Sequence, residues 1–439
     1  MFQDILMDFS LAGLLLLVGY YLRAKVKVLQ TFFIPVSVVA GVVGLLLGEQ
    51  VLGRFSPVCI HWSENVSSFA NPLLAILFVS QFLTLRINPK MIKKCSIVYL
   101  ISGTVIFVQV LFAAPVARLF GVPDGFTLLP IAAFYGAHGI PGMVAGVFQN
   151  LNYWNYDEAF SVGNTFATIG MLYGVIGGII MINIAARKGW LVGKKAGQLN
   201  REEMTGYIEK PDRKLFMSGV SSNVAVDPLA VHCAIIGAIM ILGYWVLFQM
   251  QKISFFKSFA IQIPAIIIAL IVDFIASKSK LGDVLDGPSL ARIGSTALEY
   301  LIITSVATTN LTVVMQYGAP ILAVSVIVLA LTTFCCLYLS KVWLKRNWFE
   351  NAMVMFGSWT GSTATGLMLL RVADTDMKTD AGPNLMAATP FWQLSTQSFY
   401  LTVAPYLIVT AAGFQSVLMG SAVGLVVFLA LGFIISRKS

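Results

Sequence analysis

The stretch Phe134 to Phe148, FYGAHGIPGMVAGVF, decides how this chain folds. It is apolar enough to lie at membrane depth, yet it carries Gly136, Gly139, Gly142, Gly146, Pro141 and the ionisable His138. Glycine and proline weaken a helix, and a broken helix in hydrocarbon exposes N–H and C=O groups that lipid cannot satisfy. Such backbone persists only inside protein or beside a water-filled cavity, so the stretch reads as a site rather than a plain membrane span.

A second stretch of the same kind stands in the other half of the chain, Phe356 to Leu367, FGSWTGSTATGL. Gly357, Gly361 and Gly366 alternate there with Ser358, Thr360, Ser362, Thr363 and Thr365, a density of hydroxyls that a lipid-facing helix rarely carries. Paired interruptions at corresponding positions of two halves point to the binding site of a secondary transporter. Either stretch alone is equally compatible with close helix packing, because small residues spaced four apart let membrane helices approach.

Composition agrees with a membrane setting. Of 439 residues 58% are hydrophobic and 11% charged, against about a quarter charged in a soluble domain, and the mean hydropathy is +0.83. The net charge of +9 sits in short basic runs between apolar segments. That is the pattern of the positive-inside rule, not of a nucleic-acid partner. Cys59, Cys95, Cys233, Cys335 and Cys336 are odd in number and form no CxxC, which argues against a disulfide framework or a zinc site. Asp4 and Asp8 precede the first apolar run, and Arg23, Lys25 and Lys27 follow it, so the N-terminus reads as a retained first helix and not a cleaved signal.

Apolar runs of membrane length fall near 5–22, 29–52, 66–86, 96–120, 126–148, 158–186, 229–250, 258–277, 291–315, 319–343, 351–370, 385–411 and 413–436. If every run crossed, Arg187 and Lys188 would lie outside with the long basic loop, against the charge rule. If 126–148 and 351–370 dip in and return, only Arg54, Arg118, Lys252 and Lys257 remain outside. Each half then has five crossings and one re-entrant hairpin, which makes the second half an inverted copy of the first. The expected organisation is an N-terminal membrane repeat over 1–186, a cytoplasmic linker over 187–227 and an inverted membrane repeat over 228–411. An extra C-terminal transmembrane helix follows over 412–439. The N-terminus is expected outside and the C-terminus in the cytoplasm.

The residues allow some chemistries and exclude others. His138 can hydrogen-bond a carboxylate or orient the first hairpin, and a neutral structural histidine fits equally well. His61 and His232 fit loop or helix-end positions. For an anionic solute the donors are half-helix N-termini, where backbone N–H groups and the dipole favour negative charge. The side chains of Ser358, Thr360, Ser362, Thr363 and Asn164 add to them. For a sodium ion the oxygen ligands would be unwound backbone carbonyls with Thr84, Thr308, Thr309 and Asn310. No HExxH, P-loop or GxSxG occurs, so an enzyme reading has no support. A pore is harder to exclude, although two facing hairpins suit a gated carrier better than an open filter.

With these pieces placed, the chain resembles the bacterial sodium:glutamate symporter family from about Thr31 to Tyr400. Gly136-Ala-His138-Gly139-Ile-Pro-Gly142 matches a GGHGTG-like hairpin. Ala167-Thr168-Ile169-Gly170 through Gly177 and Gly178 matches an ATFGLVLGGLIGG-like helix, Glu209 to Asp212 matches an EKPD in the linker, and Gly357 to Gly366 matches a second glycine-rich hairpin. The resemblance implies an all-α integral membrane protein of the bacterial inner membrane, with two inverted five-helix repeats, a homodimer that carries glutamate with sodium as coupling ion and no organic cofactor. Pro141 and Met143 depart from the pattern in the first hairpin, and Ser358-Trp359-Thr360 replaces a histidine-containing run in the second. The expected function is sodium-coupled symport of glutamate or a related small carboxylate by alternating access. The alternatives are a proton- or other cation-coupled carrier of a different solute, or a channel-like pore. Expected substrate-facing residues are Gly136, His138, Gly139, Gly142, Asn164, Gly357, Ser358, Thr360, Gly361, Ser362 and Thr363, and Thr84, Thr308, Thr309 and Asn310 are expected along the sodium path.

Overall fold

The computed structural model describes residues 2–31, 34–63, 66–83, 89–192, 226–374 and 378–438. Among these the chain is helical throughout, and its β-structure is a single isolated bridge between Gly48 and Ile60. Seven described helices are long and apolar enough to cross a membrane. This is the fold of an integral membrane protein.

The chain forms two compact units, and neither is a sequence half. The first combines α1 (Phe2–Lys25), α3 (Val36–Leu47) and α4 (Ala70–Phe82) with α9 (Pro228–Met250), α10 (Gln262–Ala276) and α11 (Gly287–Ala307). The short α2 (Lys27–Thr31) follows α1. Its core is built of small and branched residues: Ala12, Leu15, Ala40 and Ile303, with Leu11, Val43, Trp62 and Tyr300 around them. Glycine sets the spacing. A Cβ on Gly41 would lie 2.6 Å from that of Val306, and one on Gly19 would lie 2.7 Å from the Val36 carbonyl oxygen, so α1, α3 and α11 approach at backbone distance. Asp8 is buried and accepts hydrogen bonds from the Ser63 N–H at 3.1 Å and the Ser63 hydroxyl at 2.5 Å.

Three apolar runs of this unit form shorter helices than the sequence predicts. The run 29–52 becomes α3, only 12 residues, started after Pro35 and ended at Gly48. At 1.5 Å per residue it spans about 18 Å, short of the ~30 Å hydrocarbon core. The runs 66–86 and 258–277 likewise reduce to α4 and α10. The run 291–315 is divided: α11 stops at Ala307 and α12 (Leu311–Gln316) begins after Asn310.

His232 pins the first turn of α9. Its Nδ1 lies 2.6 Å from the Pro228 carbonyl oxygen, and its Nε2 accepts the Asp286 N–H at 2.9 Å. Both bonds are buried, and they define the tautomer as Nδ1–H. Replacement by leucine removes the imidazole acceptor of the Asp286 N–H, at a cost of about 1–3 kcal/mol. His232→Leu is therefore expected to lower the thermal midpoint of the detergent-purified chain, and His232→Asn, which keeps a polar side chain, to lower it less.

The second unit contains α5 (Pro89–Leu119), α6 (Leu129–Gly136), α7 (Ile140–Asn150), α8 (Tyr156–Lys188), α12, α13 (Gly318–Trp343), α14 (Trp348–Ser358), α15 (Thr363–Ala373), α16 (Ala381–Trp392), α17 (Ala404–Val409) and α18 (Gly413–Lys438). Asn155 caps α8 at its start by accepting from the Asp157 and Glu158 N–H groups, and Gly189, left-handed at φ +66°, ends it. The run 385–411 is interrupted: after Pro390 the backbone widens into π-helical turns over 393–397 and 399–403, a form that recurs at functional sites. The last helix is an integral part of the packing. Phe428 of α18 meets Phe107 of α5 edge-on at 5.1 Å, and a Cβ on Gly432 would fall 2.3 Å from the Trp343 ring of α13. A buried polar pair ties α5 to α13, with the Gln109 amide donating to the Thr332 hydroxyl at 2.9 Å.

Candidate functional site

Both glycine-rich stretches form broken helix pairs, and both lie in the second unit. In the first, α6 ends at Gly136 and α7 begins at Ile140. Ala137 at the break has φ +52°, a left-handed conformation that a residue with a Cβ rarely adopts, at a cost on the order of 1–3 kcal/mol. Gly139 stands at the N-cap of α7, and Pro141 and Gly142 occupy its first turn. In the second pair, α14 ends at Ser358 and α15 begins at Thr363. Ser362 caps α15, accepting the Thr365 N–H at 3.2 Å. The two arms touch backbone to backbone, since a Cβ on Gly357 would lie 2.7 Å from the Gly366 Cα and one on Gly366 would lie 2.3 Å from the Val354 carbonyl oxygen. Only glycine permits that approach.

Helix α8 carries both pairs. Against the first it presents Gly163, where a Cβ would lie 2.5 Å from that of Pro141. Against the second it presents Gly170, Gly174 and Gly178, spaced four apart on one face. Added Cβ atoms there would fall 2.4 Å from the Thr360 carbonyl oxygen, the Thr360 hydroxyl and Leu369 respectively. The broken pairs also meet through Tyr135, whose ring stacks on Trp359 at 5.6 Å with 15° between planes. Gly361 lies against α8, where a Cβ would be 3.3 Å from the Met171 Cα.

The buried polar groups form a short chain. The Thr168 hydroxyl donates to the Asn164 carbonyl at 3.0 Å, so its oxygen accepts the His138 Nε2–H at 2.9 Å. The proton is thereby placed on Nε2, and Nδ1 is an acceptor with no hydrogen-bond partner in a fully buried ring. In the second pair the Ser358 hydroxyl and the Trp359 indole N–H are likewise buried without partners. Thr360 donates to the Phe356 carbonyl at 2.8 Å. Ser362 and Thr363 are half-buried at the start of α15.

Of the residues expected along a sodium path, Thr84 lies outside the described residues. Thr309 and Asn310 stand beside α8: the Asn164 amide reaches the Thr309 hydroxyl at 3.4 Å, and the Asn310 N–H donates to Ser161 at 2.9 Å. The Asn310 side chain caps α12, accepting from the Thr312 and Val313 N–H groups. Thr308 belongs to the first unit, where its hydroxyl donates to the Thr304 carbonyl at 2.8 Å and it lines a cavity with Trp62 and Ala307.

Several contributors escape the sequence reading. Thr168 and Ser161 were legible in principle, because Ser161, Asn164, Thr165 and Thr168 recur at helical spacing along one face of α8. Glu350 sits at the edge of an apolar run and is fully buried, accepting the Val192 N–H at 2.8 Å. Trp392 meets Tyr135 edge-on at 5.2 Å across a sequence separation that no local pattern reveals.

The fold and the paired breaks thus define a polytopic helical membrane protein with its polar groups gathered at two helix interruptions. The sequence profile of the Sodium/glutamate symporter family matches residues 2–369. The chain belongs to that family. It is 25% identical over 238 residues to a Sodium/glutamate symporter of Haemophilus influenzae, a match that covers 52% of this chain and about half of the relative, 55% of its length.

Proposed function

We propose that this protein is a sodium-coupled symporter of glutamate or a related small carboxylate, working by alternating access, with the two broken helix pairs as its substrate site. The observation that carries the reading is the set of buried, unpartnered polar atoms in those pairs: His138 Nδ1 as acceptor, the Ser358 hydroxyl and the Trp359 N–H as donors. A buried polar group without a partner is costly, and a ligand that supplies both donors and acceptors relieves the cost. An amino acid does so, with its ammonium for His138 and its carboxylates for the donors and for the N-termini of α7 and α15. Gly136, Gly139, Gly142, Gly357 and Gly361 let backbone come close to that ligand. Asn164, Thr360, Ser362 and Thr363 complete the lining.

Sodium would be held by the Thr309 hydroxyl and freed main-chain carbonyls at Asn310, which stand beside α8. The interleaving supports inverted repeats over 1–186 and 228–411, because each compact unit draws matching helices from both halves. The family membership supports the coupling ion and the solute. The protein would act as a homodimer in a bacterial inner membrane, N-terminus outside, and the hairpins would be re-entrant.

Uptake of labelled L-glutamate into proteoliposomes under an inward sodium gradient, repeated with potassium in place of sodium and with unlabelled competitors, tests the reading. Saturable uptake that needs sodium and is displaced by glutamate is the expected result. Uptake driven equally by a proton gradient, or flux without saturation, would replace it with another carrier or a pore.

A further inference from the structure

The loop between α3 and α4 carries a side-chain cluster outside the two broken helix pairs. The bridge between Gly48 and Ile60 is closed by the Ile60 N–H donating to the Leu47 carbonyl at 2.8 Å, and it brings the far end of the loop back against the end of α3. Side chains alternate along extended backbone. Ile60 and Trp62 pack against the first unit's core, and Cys59 and His61 take the other side, next to Glu49. There the three form a chain: the Glu49 carboxylate lies 2.5 Å from His61 Nδ1, and His61 Nε2 lies 3.5 Å from the Cys59 sulfur.

This is the order that thiol activation requires. A carboxylate that holds Nδ1–H leaves Nε2 as an acceptor, and Nε2 faces a thiol. The arrangement does not suit a metal, because the imidazole stands between the other two groups, and no group of His, Cys, Asp or Glu among the described residues is placed to hold an ion. The thiol is reachable: Cys59 is half-buried, and the His61 and Glu49 side chains are 64% and 63% exposed. Beside it opens a cavity of about 160 Å³ lined by Leu45, Glu49, Ile60, Trp62 and Thr308. Glu49 belongs to both the cavity and the triad.

We infer that Cys59 is a redox-modification site, a thiol activated by His61 and Glu49 that exchanges with low-molecular-weight disulfides. In the step, the Cys59 S–H proton passes to His61 Nε2 and the thiolate attacks one sulfur of R–S–S–R. The S–S bond breaks, R–S⁻ leaves and takes the proton back from the imidazolium. The products are the mixed disulfide Cys59–S–S–R and R–SH: Cys59 is oxidised, and the departing half of the disulfide is reduced.

The probe is glutathione disulfide added to the full-length protein in detergent at neutral pH, with the rate of addition at each cysteine followed by mass spectrometry of the peptides. Cys59 is expected to gain one glutathionyl group that a reductant removes. A positioned imidazole contributes on the order of 10²-fold or more in buried sites, so at this exposed one His61→Gln is expected to slow addition about tenfold, and Glu49→Gln by a smaller factor. Addition at the exposed Cys233 should be unchanged in both variants, and the buried Cys95, Cys335 and Cys336 should stay unmodified, which shows that the fold is retained. A slowing at Cys59 in His61→Gln below about threefold, or modification of Cys233 but not of Cys59, overturns the inference.

Discussion

Gly170→Leu is expected to insert into the membrane at the wild-type level and to lose sodium-driven uptake altogether, with the thermal midpoint lowered as well. The physical reason is a close approach with no slack. An added Cβ falls 2.4 Å from the Thr360 carbonyl oxygen and 2.4 Å from the Phe134 ring, so one residue drives α8 away from both broken pairs. Overpacking of this kind costs about 1–3 kcal/mol, and more where the obstacle is backbone. The neighbouring Gly174 separates this mechanism from a general loss of packing. Its added Cβ would strike the Thr360 hydroxyl at 2.4 Å, a side-chain atom, with the Thr360 Cβ at an ordinary 3.4 Å. Thr360→Ala should therefore rescue Gly174→Ala and leave Gly170→Ala unrescued. A double-mutant cycle on thermal stability reads the difference, and equal behaviour of the two glycines would remove α8 as the element that holds the pairs together.

The second large effect is at His138. Glutamine keeps a donor near the place of Nε2 and removes the acceptor at Nδ1; asparagine keeps an acceptor near Nδ1 and removes the donor to Thr168. If Nδ1 receives an α-ammonium group, His138→Gln loses a hydrogen bond to a charge, about 1.5–3 kcal/mol, and the KM for L-glutamate rises by roughly ten- to a hundredfold. His138→Asn should be the better transporter and the less stable protein. Glutarate, which has two carboxylates and no amino group, gives the control: as a competitor it should lose nothing in His138→Gln. Equal loss of both competitors would assign His138 to holding the break in place and not to the solute.

Much of this was legible in sequence because the membrane makes it so. Lipid offers no hydrogen bonds, so Gly136-Ala137-His138-Gly139 and Gly357 to Gly366 had to be sites or close packings, and they are broken helix pairs in close packing. The long runs ending at Lys188, Trp343 and Lys438 appear as uninterrupted helices for the same reason. What hydropathy did not show was continuity. The runs 29–52 and 258–277 are as apolar as the long helices, yet Pro35 and Gly48 bound one and Gln262 to Ala276 is all that is helical in the other. Burial inside protein relaxes the length requirement that lipid imposes.

The sequence by itself determined the class, the positions of the two breaks and the family motifs, since each rests on local composition that hydrocarbon reads residue by residue. Tertiary structure alone decided that each compact unit draws on both halves of the chain, that Gly170, Gly174 and Gly178 face one broken pair, and that Thr168 places the proton of His138. It also decided that Cys59, His61 and Glu49 form one chain of hydrogen bonds. These are contacts between residues distant along the chain or turned toward one another by a single bridge. Their cost and gain depend on distances of a few tenths of an ångström, which no pattern of residue types encodes.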